Sequence, residues 1–177
     1  MVHIKKLKII MISIILAVIA LIPNNVLADG PSYDITNYDM DAYIQEDGTI
    51  HIDESITYYF SSSANGLTRD LRYFYKTNKD SMEPNSARYQ ATGIENITVA
   101  VTNPANITTN FTKASNAEKG DNGVYTVDAV NADRTDGYDI MVYSPISSNN
   151  FQTVHYSYDI TDAVVQYNDM SEIYYNF

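Results

Sequence analysis

Cysteine and tryptophan are both missing from this chain of 177 residues. Without cysteine there is no disulfide staple and no thiolate metal site, so a folded domain must rest on its apolar core. Basic residues are few, 11 against 22 acidic ones. A surface poor in Lys and Arg argues against nucleic acid and against direct binding to anionic lipid, because both need clustered cations. Long apolar runs are also absent after the first 28 residues, as is any cell-wall sorting signal. No internal repeat, low-complexity tract or nucleophile elbow is present.

The one long uncharged run is Ile9 to Ile22. Lys5, Lys6 and Lys8 precede it, Pro23-Asn24-Asn25 break it, and Val26-Leu27-Ala28 supplies small residues where a signal peptidase reads. Fourteen residues of helix span about 21 Å, short of the roughly 30 Å hydrocarbon core, so the run reads as a signal-peptide helix rather than an anchor. Cleavage after Ala28 would leave residues 29–177 with 8 basic and 22 acidic residues, a net charge of −14. That length is enough for one domain with its own core. Exported proteins of Gram-positive bacteria commonly lack cysteine, and the chain is placed among them. The Asn-x-Thr triplets at Asn96, Asn106 and Asn110 then read as strand and turn chemistry, not glycosylation sites.

The strongest local pattern is Tyr38 to Phe60. Asp47-Gly48 between two alternating runs predicts a hairpin closed by a two-residue turn with positive φ at both residues. In the second strand Ile50, Ile52, Ile56, Tyr58 and Phe60 share a face, while His51, Asp53, Ser55, Thr57 and Tyr59 take the other. Glu54 alone falls on the apolar side. Leu67 to Tyr75 reads as a turn entering a strand, and Lys76 to Tyr89 as an exposed loop. Strands are expected at Gly93–Thr102, Val124–Val130, Tyr138–Tyr143 and Phe151–Ile160, with a short one at Ile107–Thr112. Lys119 to Gly123 is a second hairpin signal, Asn131 to Gly137 a polar turn, and Asp169–Tyr175 a short helix. The expected architecture is an all-β, antiparallel, immunoglobulin-like sandwich of about 7–9 strands, preceded by the signal helix.

Glu54 is the first candidate for a special role, since a carboxylate on an apolar face needs a partner. Arg69 and Arg72 follow the same hairpin and are the expected partners, with Arg69 first. Such a pair reads as structural. Asp169 and Glu172 would share a helix face and read as a capping or surface pair. Asn131, Asp133, Asp136 and Asp139 crowd one turn. Gly137 is one place late for a calcium loop and no closing Glu follows. His51 and His155 are single residues on polar strand faces, too few for zinc. No catalytic, cofactor-binding or metal-binding residue is assigned.

Three stretches together resemble a known family. Asp47-Gly48-Thr49-Ile50-His51-Ile52-Asp53-Glu54 looks like its hairpin, and Gly66-Leu67-Thr68-Arg69-Asp70-Leu71 like its Arg-containing turn. Tyr156 to Ile160, through Ala163-Val164 to Asp169–Tyr175, is similar to its closing motif. The family is the extracytoplasmic N-terminal domain of bacterial predicted membrane proteins, the domain of unknown function 2207 family. The resemblance implies a sandwich-like domain outside the membrane, tethered in full-length relatives by later transmembrane segments. This chain stops in mid-motif, so it is expected to be truncated or released. The expected role is a non-enzymatic interaction or sensing ectodomain, at the cell surface or secreted, with a protein or cell-envelope ligand. A secreted cell-wall glycan hydrolase using carboxylates, and a calcium-stabilised adhesion module, are the alternatives.

Overall fold

The computed structural model describes residues 31–76, 87–132, 135–166 and 168–173. The expected signal helix over 1–28 lies outside them, as do Asp133 and the last residues of the expected 169–175 helix. Twelve strands follow in order. They are β1 (Tyr33–Ile44), β2 (Ile50–Phe60), β3 (Ala64–Lys76), β4 (Ala87–Gln90), β5 (Gly93–Thr102), β6 (Thr108–Asn110), β7 (Thr112–Lys113), β8 (Val124–Ala132), β9 (Thr135–Ile146), β10 (Asn150–Thr161), β11 (Val164–Gln166) and β12 (Ser171–Ile173). Among the described residues there is no helix.

The strands form two five-stranded sheets. The first runs β1-β2-β10-β5-β6 and is antiparallel throughout. The second runs β4-β3-β9-β8-β7, with only β7 and β8 parallel. β11 and β12 make a separate ladder. The alternation read in β2 holds in space: Ile50, Ile52, Ile56, Tyr58 and Phe60 are all buried. Val154, Tyr156, Tyr158 and Ile160 of β10 continue that layer. Leu67, Leu71, Ile140, Val142 and Ile146 meet it from the second sheet, so one core lies between two sheets.

Five expectations are corrected. The β1–β2 connection is not a two-residue turn. The Gly48 N–H donates to the Gln45 carbonyl at 3.1 Å, and Gly48 alone, at φ +86°, is left-handed. This is a three-residue loop whose last residue makes a bulge, and an Asp47 side-chain bond to the Thr49 N–H at 2.9 Å supports it. Second, Leu67–Tyr75 and its Arg motif lie inside β3, which begins at Ala64. Arg69, on its core face between Leu67 and Leu71, breaks the apolar alternation and hides the strand. Third, β9 runs on through Ser144-Pro145, because those residues sit in a register irregularity opposite Asn65 where proline's missing N–H is tolerated. Fourth, Lys119–Gly123 does not close a hairpin; the chain loops from β7 into a parallel partner, β8. Fifth, Ser171–Ile173 is a strand pairing with β11, not part of a helix. Twelve strands exceed the expected 7–9 because β4, β7, β11 and β12 are too short to show a period, while β6 falls within the short strand expected at Ile107–Thr112.

Asn96 and Asn106 have φ of 54° and 60°, so two of the three Asn-x-Thr triplets serve left-handed positions that few other residues take, one at an irregularity within β5 and one in the loop that follows it. Gly66 answers a different need. It sits opposite Tyr143 on β9, and a Cβ there would run into the Val142 carbonyl oxygen. Gly66→Ala is therefore expected to lower stability by about 3 kcal/mol or more, since backbone cannot yield as a side chain tip can. A urea midpoint equal to that of the parent would disprove this close approach.

Candidate functional site

Glu54 lies mid-β2, opposite Met40 on β1 and Tyr156 on β10. Its side chain is wholly buried. Arg69 reaches it from β3 in the other sheet. The Arg69 Nε–H donates to Oε2 at 3.0 Å, and Nη2 donates to Oε1 at 2.9 Å. The Tyr158 hydroxyl, from β10, donates to Oε1 at 2.5 Å. This is a two-point fork with a third donor, the geometry in which an Arg–carboxylate pair is strongest. Burial works against the Arg69 charge, but its hydrogen bonds to Glu54 outweigh that and raise its pKa. Burial also pushes neighbouring Tyr58 up to about 12 and Tyr156 well above the usual tyrosine range.

Arg72 does not join this group. It donates from Nη2 to Asp139 at 2.6 Å and from Nη1 to the Tyr138 carbonyl at 2.9 Å, tying β3 to β9. Asp139 is thereby drawn away from the acidic turn considered for calcium. Among the described residues no three His, Asp or Glu side chains are placed to hold a metal ion. Asp169 and Glu172 are both exposed. Asp169 sits in a bend and Glu172 within β12, so the shared face expected of a helix is lost.

The polar face of the first sheet carries two side-chain networks that the sequence reading treated as isolated histidines. His51 is the ladder partner of Asp159, and its Nδ1 lies 2.6 Å from the Asp159 carboxylate. Asn96 donates to the other Asp159 oxygen at 2.6 Å. His155 is the ladder partner of Ser55, with Nδ1 at 2.8 Å from the Ser55 hydroxyl and Nε2 at 2.8 Å from that of Thr102. The Asp159 hydrogen bond raises the His51 pKa, while burial lowers that of His155. Asp159 is held low, by Asn96 first, with burial opposing and His51 assisting. A cleft of about 500 Å³ is lined by the core residues Glu54, Tyr125 and Tyr156 together with Asp53, Ser55 and His155, among others. These contacts join residues 53 to 108 positions apart, so only the registers of β10 with β2 and β5 could have revealed them.

A hydroxyl beside a neutral imidazole is the start of a nucleophile–base pair. Here Nε2 faces a threonine hydroxyl rather than a carboxylate. The backbone N–H groups of Ser55 and His155 also lie within ladders flanked on both sides. A developing oxyanion beside Ser55 would find no donor from that backbone.

Residues 34–177 match the family model described as predicted membrane protein (DUF2207), N-terminal domain. The chain belongs to the DUF2207 family. No curated protein and no solved structure matches it. The DUF2207 match takes in all but the first residue of β1 and every later strand. The Glu54–Arg69 fork and both histidine networks therefore belong to the DUF2207 domain itself.

Glu54→Gln keeps the shape of the side chain and strands the Arg69 charge. The expected cost is about 3 kcal/mol, at the low end for a broken buried pair because a quarter of the Arg69 side chain stays exposed. That corresponds to a fall of roughly 6–12 °C in melting temperature for a domain of this size. Adding Arg69→Met should restore part of it; an unchanged melting temperature in the single variant would rule the fork out as a support.

The histidines should titrate in opposite directions from the ordinary value of 6.5. His51 takes its proton more readily folded than unfolded, so its contribution is full below about pH 6.5 and fades as pH rises through the higher folded value. For His155 the reverse holds. Its contribution is full above about pH 6.5 and is lost as pH falls through the lower folded value. Imidazole NMR titrations should place His51 above His155, and the opposite order would overturn both assignments.

Proposed function

We propose that this chain is a non-enzymatic interaction or sensing domain, held outside a membrane by the longer proteins of its family. In this reading residues 1–28 direct export, residues 29–177 form an immunoglobulin-like sandwich, and the partner is a protein or a cell-envelope component. The observation that carries it is the state of Glu54. Both of its oxygens are engaged by Arg69 and Tyr158, and its side chain has no exposed surface although it borders the cleft. A glycosidase needs two carboxyl groups about 5–10 Å apart in an open cleft. Asp53 borders the same cleft, but Glu54 beside it is committed to the ion pair, and Asp169 and Glu172 lie exposed near the C-terminal ladder. The Ser55–His155 pair lacks backbone donors and an orienting carboxylate, which favours a binding face over an acyl-transfer site.

Incubation of the chain with cell-wall glycan should release no reducing ends above a blank. Treatment with a fluorophosphonate should leave Ser55 unmodified, with neither the parent nor the Ser55→Ala variant gaining the mass of an adduct. Glycan release that disappears in Glu54→Gln, or a covalent adduct on Ser55, would overturn the non-enzymatic reading.

A further inference from the structure

β1 is the outermost strand of the first sheet, and its far edge is unpaired among the described residues. It is 12 residues long with a single irregularity, at Thr36. An edge of that length presents a row of backbone donors and acceptors to any extended chain that meets it.

The side chains of β1 divide into two chemistries. Tyr33, Ile35, Tyr38 and Ile44 point to the core side, because their ladder partners Phe60, Tyr58, Ile56 and Ile50 are buried there. Yet Ile35 is 58% exposed and Ile44 61%, while Tyr58 and Ile50 beside them are 4% and 1% exposed. The cover supplied by the second sheet thus ends within one strand spacing, about 4.8 Å. In its place a groove of about 560 Å³ runs between β1 and β3, lined by Tyr33, Ile35 and Tyr38 and by Thr68, Arg69 and Asp70. On the opposite face stand Asp34, Asp39 and Asp41, none of which has an ion-pair partner among the described residues. Asp41 also faces Asp53 directly across the β1–β2 ladder, a like-charge pairing that disfavours the bare sheet.

We propose that β1 receives a partner segment by strand addition, and that this segment alternates apolar with basic residues. Its apolar side chains would fill the groove and cover Tyr33, Ile35 and Tyr38. Its basic side chains would stand beside Asp34, Asp39 and Asp41 and relieve the Asp41–Asp53 repulsion. The backbone supplies binding and the alternation supplies selectivity. A second copy of the chain is a poor occupant. Joining two β1 edges would place both sets of aspartates on one continuous face, between molecules of net charge −11. The inference rests on the reading of the domain as an interaction module and names the chemistry of its partner.

The test uses the full chain and a labelled decapeptide of alternating valine and lysine. Saturable binding is expected, with amide hydrogen exchange slowed over residues 33–44. Reversing charge with Asp39→Lys and Asp41→Lys should weaken binding at least tenfold, as should N-methylation of alternate peptide amides. Equal binding of the N-methylated peptide, or of a valine–glutamate peptide, would overturn the proposal. So would failure of the valine–lysine peptide to bind, or protection that appears away from β1. Protection, in the free chain, of the β1 amides that do not bond to β2 would mean that one of its own segments covers the edge, and would overturn the proposal. A sedimenting dimer that the peptide does not dissociate would assign the edge to a second copy. Any of these leaves the non-enzymatic reading standing, whereas glycan turnover or a Ser55 adduct would sink that reading without touching peptide binding.

Discussion

A carboxylate in the middle of an apolar layer constrains everything packed around it. Glu54 can stay there only because Arg69 arrives from the facing sheet and Tyr158 from the neighbouring strand. Each donor fixes a register: Arg69 sets β3 over β2, and Tyr158 sets β10 beside it. An apolar core alone would tolerate small slides of one sheet across the other, because one aliphatic contact is much like the next. A forked ion pair is far less tolerant, since a shift of one residue leaves a buried charge alone. The same arrangement explains why Glu54 reads poorly as a catalyst, because its side chain is wholly buried and both oxygens are already engaged by Arg69 and Tyr158.

The polar face of the first sheet is organised differently. Its groups pair laterally across the β2–β10 ladder, so each histidine acquires its character from the strand opposite. His51 gains a carboxylate and holds its proton more firmly, while His155 gains hydroxyls and is kept neutral by burial. His51 also has Asp53 beside it on its own strand, with a carboxylate oxygen 3.5 Å from Nε2. The family description speaks of a predicted membrane protein.

Much of this was legible in the residues. The alternation of Ile50 through Phe60 and of Val154 through Ile160 marked the two central strands, and Glu54 stood out as the one acid on the apolar side. Arg69 was within reach as its partner because it follows the same hairpin. Other features were not legible, for definite reasons. β3 was concealed by Arg69, which interrupts its apolar face and whose charge is settled by a tertiary partner. The strand 171–173 was concealed because three residues fit a helix period as well as a strand period. The histidine networks depend on registers that join residues 53 to 108 positions apart, which no local pattern encodes.

That separation has a consequence for the order of events as the chain folds. β2 is complete at Phe60, yet its central neighbour β10 begins only at Asn150. Until β10 arrives, the β1–β2 hairpin has one edge bare and Glu54 lacks the hydroxyl of Tyr158. Topologies dominated by such distant pairings fold slowly, because the loop must close before any contact rewards it. Little of the first sheet can therefore set before nearly the whole domain is available. In a protein carried across a membrane as an extended thread, such late closure would keep the chain loose enough to pass and let the fold lock on the far side.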